Sequence, residues 1–214
     1  MNCIVTAGPT YEPLDDVRRL TNFSTGRLGT ELANFLTARG HTVTLLRGES
    51  ATWAGPRSAA AEAVFSTTKD LRRRLKACAT SPVDAIFHAA AVSDFTFGQL
   101  FTRGASDRLE PCPPARKIST RDGRLLVELL PTAKIIAELR GWYPRALIVG
   151  WKFEADGARA AAVRAARRQI AECGTNACVA NGPAYGQGFG LVTAKSQKHF
   201  ADRPALFRAL EKLA

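Results

Sequence analysis

Cys3-Ile4-Val5-Thr6-Ala7-Gly8-Pro9-Thr10, followed beyond the polar stretch Tyr11–Thr21 by Asn22-Phe23-Ser24-Thr25-Gly26-Arg27-Leu28-Gly29, is the passage on which the fold turns. The first part is a short apolar run ending at a glycine, the pattern of a buried strand and a tight turn. The second opens a helical pattern, with Gly26 and Gly29 at its start. In the dinucleotide-binding fingerprint a glycine-rich turn leads straight from strand into helix. Here the polar stretch intervenes and carries Arg18, Arg19 and Asn22 toward the same mouth. A helix start offers free backbone N–H groups to an anion. The combination points to a site that holds phosphate and performs chemistry beside it.

Outward from this passage, apolar runs alternate with helical patterns. Strands are predicted at 2–7, 42–47, 84–89, 124–130, 145–150 and 176–181. Helices are predicted from Thr25 to Arg39 with Gly40 as its C-terminal cap, Thr68 to Ala79, Thr132 to Arg140, and Asp156 to Cys173 before Gly174. A last helix begins at Asp202, with Pro204 in its first turn. Such alternation predicts a single α/β domain over 1–214: a Rossmann-like three-layer α/β/α fold with a mostly parallel sheet. Two segments break the rhythm. Residues 95–123, with Pro111, Pro113, Pro114 and Arg116-Lys117, read as a long mobile loop of functional use. Residues 186–201, rich in glycine around Phe189, read as a C-terminal β-hairpin. Gly48 to Glu62 reads as surface loop.

The chain has 214 residues and is 46% apolar, enough for a real core. No run approaches the roughly 18 apolar residues of a membrane span, and the N-terminus lacks the layout of a signal peptide. No membrane association is expected. Cys3, Cys78, Cys112, Cys173 and Cys178 form no C-x-x-C pair, as expected of reduced thiols in a cytoplasm. The formal charge of +11 suits a basic surface or small anionic substrates. Basic residues are scattered and few aromatics interleave with them, so nucleic acid is not the expected partner.

In an open parallel sheet ligands bind beyond the carboxyl ends of the strands. The segments there are Gly8 with Asn22–Gly29, then Ala89-Ala90-Ala91-Val92-Ser93-Asp94, then Trp151-Lys152-Phe153-Glu154, then Asn181. Gly8, Gly26 and Gly29 permit close backbone approach; that serves either a phosphate cradle or a tight turn with helix–sheet packing. Ser24 fits a helix N-cap or a phosphate contact. Ala90 and Ala91 let a ligand lie against backbone, or simply end a buried strand. Asp94 can accept a hydrogen bond from a substrate hydroxyl or amide, and Trp151 can stack on a base or pack. His41, His88 and His199 are isolated, so no protein-built metal site is expected. An NADP-dependent reductase is the competing reading. Arg47 closes the second strand where a 2′-phosphate would bind, but there is no contiguous G-x-G-x-x-G and no Tyr-x-x-x-Lys pair.

The ordered motifs V-T-A-G-P-T (5–10), D-V-R-R-L-T-N-F-S-T-G-R-L-G (16–29), A-A-A-V-S-D (89–94), Lys117-Ile118, P-T-A-K-I-I-A-E-L (131–139), G-W-K-F-E-A-D (150–156) and V-A-N (179–181) carry a resemblance. They resemble the phosphopantothenate–cysteine ligase (phosphopantothenoylcysteine synthetase) family, in a stand-alone form without the flavin-dependent decarboxylase half. The resemblance implies joining 4′-phosphopantothenate to L-cysteine through an acyl-nucleotidylate, with ATP or CTP as co-substrate and Mg2+ riding on the triphosphate. It implies that Asn22 holds the substrate carboxylate and then the acyl carbonyl, and that Lys117, on a flexible loop, neutralises the triphosphate. Gly8, Ser24, Gly26 and Gly29 would cradle the triphosphate, with Trp151 and Asn181 bordering the nucleotide. Ala90, Ala91 and Asp94 would line the pantothenate arm. Arg18 would reach a neighbouring protomer's substrate phosphate, implying a homodimer. A separate phosphopantothenoylcysteine decarboxylase is an implied partner. Residues 151–154 and 117–120 are closer to the eukaryotic pattern than to the bacterial one. A nucleotide- or flavin-associated relative without ligase activity is the alternative within the same likeness.

Overall fold

In the computed structural model the described residues are 1–103, 108–113, 115–119 and 124–214. Residues 104–107, 114 and 120–123 of the expected 95–123 loop therefore lie outside them.

Cys3 to Ala7 carry no charge, and all five are buried. A strand covered on both faces reads this way, and β1 (Asn2–Ala7) does lie inside the main sheet. It pairs in parallel with β4 (Thr42–Gly48) on one side and β6 (Ala85–His88) on the other. The eight-stranded sheet runs β13-β12-β11-β10-β6-β1-β4-β5. Here β5 is Ala61–Phe65, β10 Leu147–Phe153, β11 Ala177–Asn181, β12 Phe189–Thr193 and β13 Gln197–Phe200. From β5 to β11 every pairing is parallel; β12 and β13 add an antiparallel edge. That edge is the hairpin expected at 186–201.

Alternate residues of each strand face opposite layers. Cys3, Val5, Ala7, Phe87 and Val149 pack under α1 (Arg27–Ala38) and α5 (Arg203–Leu213) through Leu32, Leu36, Leu206 and Leu210. Ile4, Leu46, Ile86 and Ile148 face α2 (Thr68–Cys78) and α3 (Ile135–Trp142) through Leu71, Leu75 and Leu139. On the same side α4 (Arg159–Cys173) lays Ala162, Ala166 and Ile170 on Cys178, Ala180 and Val192. Each fully buried leucine contributes roughly 2 kcal/mol relative to exposure. The α/β/α layering is as expected. Among the described residues no helix is long and apolar enough to cross a membrane.

Helix α1 stops because Gly40 turns left-handed at φ +84. The His41 amide then bonds to Leu36 O at 3.1 Å and the Gly40 amide to Thr37 O at 2.9 Å, the paired closure expected of a glycine just past a helix. Asp202 caps α5 by accepting from the Ala205 amide at 2.8 Å.

Two small sheets depart from the sequence reading. The polar stretch after Thr10 is a hairpin, β2 (Tyr11–Pro13) against β3 (Arg19–Thr21). The strand expected at 124–130 exists as β9 (Arg124–Pro131), but it lies outside the parallel sheet. It pairs antiparallel with β7 (Phe95–Arg103), which also takes β8 (Leu109–Pro111). Within the expected mobile loop, Phe95–Arg103 and Leu109–Pro111 are therefore strands. A register shift between Phe97 and Leu100 breaks the period-two pattern of β7, and such a bulge conceals a strand from periodicity. Likewise β5 begins inside the stretch read as surface loop.

Candidate functional site

The turn after β1 and the start of α1 meet at their glycines. Gly8 and Gly26 both sit in the left-handed region, at φ +82 and +79. A Cβ on Gly8 would lie 2.7 Å from Ala51 Cβ; one on Gly26 would lie 2.9 Å from the same atom and 3.2 Å from Gly8 Cα. Both glycines are thus required by backbone conformation and by closeness. A Cβ on Gly29 would strike Ala7 Cβ at 2.7 Å and Thr6 O at 2.8 Å. Gly29 therefore lets α1 lie against β1. Gly26, not Ser24, occupies the N-cap position, and no side chain caps α1. No acidic residue stands in the first turn either, so the positive end of α1 faces the mouth uncompensated.

The Ala89–Asp94 segment crosses this mouth. The Ala91 amide donates to Gly8 O at 3.0 Å, and Ala91 O accepts from the Thr10 amide at 3.1 Å. Asn22 Nδ2 lies 3.2 Å from both Ala91 O and Val92 O. Carbonyls only accept, so the amide nitrogen must face them and Oδ1 is turned away. Ala91 thereby ties the Gly8 turn to Asn22. The Ala90 amide donates to Thr6 Oγ1 at 3.0 Å. Asp94 is exposed, and its carbonyl accepts from the Thr132 amide at 2.9 Å.

Trp151 and Asn181 lie on the α1 side of β10 and β11, sharing parity with Val149 and Val179. Trp151 is half-buried and packs against that core. Its Nε1 and the Asn181 Oδ1 are buried with no hydrogen-bond partner, as are Ser93 Oγ and Ser50 Oγ. Buried polar atoms are nearly always paired. Trp151 lies in the carboxyl half of β10 and Asn181 ends β11, while Ser93 and Ser50 follow β6 and β4; this is the rim where an α/β sheet binds ligands. A polar ligand would satisfy them.

Lys117 is exposed, between Arg116 and a buried Ile118. Arg18 donates through Nε and Nη2 to Asp15 at 3.1 and 2.5 Å, and through Nη2 to Ile118 O at 2.8 Å. Two of its three nitrogens are thus engaged within the protomer. Arg47 donates to Glu62 at 3.1 Å and to Ala51 O at 3.1 Å. That occupies the cation on which the reductase reading relies.

His88, isolated in the sequence, is 6% exposed at the end of the central strand β6, and its Nδ1 lies 2.9 Å from Thr6 Oγ1. Thr6 Oγ1 also accepts from the Ala90 amide, so one hydroxyl joins His88 to the Ala89–Asp94 segment. Burial pushes the His88 pKa down to about 4. Arg18 and backbone amides hold the Asp15 carboxyl well below the usual range. Sequence reasoning also missed Ala51, Ser50, Thr6 and Asp15. Thr6 lies inside the V-T-A-G-P-T motif and Asp15 immediately precedes the D-V-R-R block, whereas Ser50 and Ala51 belong to no recognisable motif.

The DNA/pantothenate metabolism flavoprotein C-terminal domain family matches residues 1–205. Over 180 residues, 83% of the chain, it is 31% identical to the coenzyme A biosynthesis bifunctional protein CoaBC of Thermococcus kodakarensis, of which it covers 40%. The crystal structure of the DNA/pantothenate metabolism flavoprotein from Streptococcus pneumoniae matches with a TM-score of 0.84 at 23% identity, covering 99% of this chain and 97% of that one. A Cab2 mutant in complex with phosphopantothenate-cysteine matches at 0.73 and 19% identity, over 99% of this chain and 86% of that one. At these identities the structural likeness speaks to the fold. The chain spans about two-fifths of the length of the curated relatives it matches.

Proposed function

The chain belongs to the DNA/pantothenate metabolism flavoprotein C-terminal domain family, and from that membership we propose that it is a ligase of coenzyme A biosynthesis. It joins 4′-phosphopantothenate to L-cysteine, in the cytoplasm, through an acyl-nucleotidylate made from ATP or CTP. The single observation that carries the reading is the junction at Ala91. It brings the Gly8–Gly26 cradle and the Asn22 amide to one mouth, on a rim bearing four unsatisfied buried polar atoms.

A carboxylate is a poor acyl donor because oxide is a bad leaving group. In the first step a carboxylate oxygen attacks the α-phosphorus, a P–O bond forms, and the P–O bond to pyrophosphate breaks. In the second the cysteine amine attacks the acyl carbon, a C–N bond forms, the nitrogen gives up a proton to solvent, and the nucleotide monophosphate leaves with the C–O electron pair. Both steps gather negative charge on oxygen, and fixed donors stabilise it. The uncapped start of α1, with Gly8 and Gly26 at its mouth, receives the triphosphate and its Mg2+; a Cβ at either glycine would crowd Ala51 and displace the turn that shapes the mouth. Lys117 adds a mobile positive charge, and Trp151 and Asn181 border the base. Ala90 and Asp94 line the pantothenate arm beside Asn22. The Asn22 protons are spent on neutral carbonyls. A substrate carboxylate competes for them with a charge-assisted bond about twice as strong.

Exposed Val17, Leu20 and Phe23 around the hairpin, with Phe95, Leu129 and Leu130 on the second sheet, support burial against a second copy of the chain. In such a homodimer the remaining Arg18 nitrogen is available to the partner's substrate. A separate decarboxylase then takes the product.

The test is pyrophosphate release on incubation with 4′-phosphopantothenate, cysteine, Mg2+ and either ATP or CTP. Release with one nucleotide is expected; none with either overturns the proposal. A thermal-shift panel of ATP, CTP, NADPH and FMN separates the ligase from the reductase and flavin-associated readings, and the ligase reading requires a shift with ATP or CTP.

A further inference from the structure

Lys117 has no described contact that fixes its side chain, yet the backbone on both sides of it is tied to one place. That place is the turn 14–18, between β2 and β3. Ahead of Lys117, Arg116 O accepts from the Asp16 amide at 3.0 Å, and Arg116 Nε donates to Asp16 Oδ2 at 2.7 Å. Behind it, the Ile118 amide donates to Asp15 Oδ2 at 3.1 Å, and Ile118 O accepts from Arg18 Nη2 at 2.8 Å.

The two ties differ in weight. The Arg116–Asp16 pair is open to solvent, with side chains 95% and 56% exposed, and such a pair is worth little. The Asp15 side chain is wholly covered. Its Oδ1 accepts from the Val17 and Arg18 amides at 2.9 and 2.7 Å, while Oδ2 takes Arg18 and Ile118. One carboxylate therefore builds the turn, orients Arg18 and receives the loop. From that turn β3 runs directly into Asn22, and Thr21 Oγ1 anchors its end on Thr10 O at 2.9 Å.

We propose that Asp15 is the positioning residue that holds the Lys117 loop in register with Asn22. It touches no reacting atom; it fastens the chain beside Lys117 to the turn that leads into Asn22. Its catalytic consequence rests on the ligase reading above, whereas the tether itself does not.

The tether is read by amide hydrogen exchange in Asp15→Asn, which keeps the side-chain volume and removes the charge. Exchange across 115–119 should quicken about tenfold or more while β1 and β10 keep their protection. Unchanged exchange at 115–119 overturns the proposal. The catalytic arm is a double-mutant cycle on pyrophosphate release. Asp15→Asn should lower kcat about tenfold or more with Lys117 present, and less than about twofold in the Lys117→Ala background. Equal losses in both backgrounds overturn the positioning role. If Asp15→Asn does not fold, Asp15→Ser carries both readouts, because its hydroxyl still serves the turn amides but cannot reach Ile118. A wild-type chain without pyrophosphate release defeats the ligase reading alone, and the exchange measurement then decides the tether.

Discussion

The side-chain amide of Asn22 donates to the carbonyl of Ala91 at 3.2 Å, across 69 positions of chain. The two residues lie at the ends of different connections, one after the β2–β3 hairpin and one after β6. Their bond fastens the Asn22 side chain to a segment that the Gly8 turn already holds through the Ala91 amide.

Asn22 is exposed and supports no core. Asn22→Ala should leave the unfolding midpoint within a degree or so of wild type and lower kcat by about 10²–10³. Turnover within a factor of about two of wild type would remove Asn22 from the reaction. Steady-state pyrophosphate release with parallel thermal melts checks both parts.

Gly26→Ala meets two costs. The left-handed backbone costs roughly 1–2 kcal/mol, and the crowding against Ala51 Cβ and Gly8 Cα costs about 1–3 more. Relieving that crowding displaces the turn at the mouth, so the stabilisation of the variant by nucleotide in a thermal-shift titration should vanish. Gly29→Ala should destabilise by overpacking α1 on β1, yet nucleotide should still raise its melting point. Equal retention of nucleotide binding in both would contradict the split between cradle and packing.

Lys117→Ala removes an exposed charge with no described partner. Stability should not change, and kcat should fall by about 10² through loss of charge stabilisation. Added ionic strength should weaken nucleotide binding to wild type more than to the variant.

His88 makes stability depend on pH in a defined window. Its pKa is about 4 in the fold and about 6.5 unfolded. Between those values the unfolded chain binds the extra proton, so the fold loses stability as pH falls from about 6.5 to about 4. The loss is on the order of 3 kcal/mol over the full window, and none of it falls above pH 7. His88→Leu should flatten this slope. Urea unfolding of both proteins at pH 7, 6 and 5 measures it, and parallel slopes would show that His88 does not titrate on unfolding.

Much of the fold is legible in the residues. Gly40 and Gly174 stop α1 and α4 as expected, at φ +84 and +63, because only glycine takes that conformation cheaply. The apolar runs at 2–7, 42–47 and 176–181 are strands of the parallel sheet, and the glycine-rich 186–201 is a hairpin. The β9 run is legible as a strand, but its sheet is not. Alternation specifies which side chains share a face, not which strand lies beside them. The bulge in β7 removes even that signal.

The chain order of strands, helices and stop signals follows from local properties: apolar spacing, glycine conformational freedom and caps within a few residues of one another. Tertiary structure alone decided that Gly8 and Gly26 meet against Ala51 while Gly29 packs α1 on β1. It alone joined Asn22 to Ala91, Asp15 to Ile118 and Thr6 to His88. Those bonds link residues 69 to 103 positions apart, and only the packed sheet brings their partners within hydrogen-bonding distance.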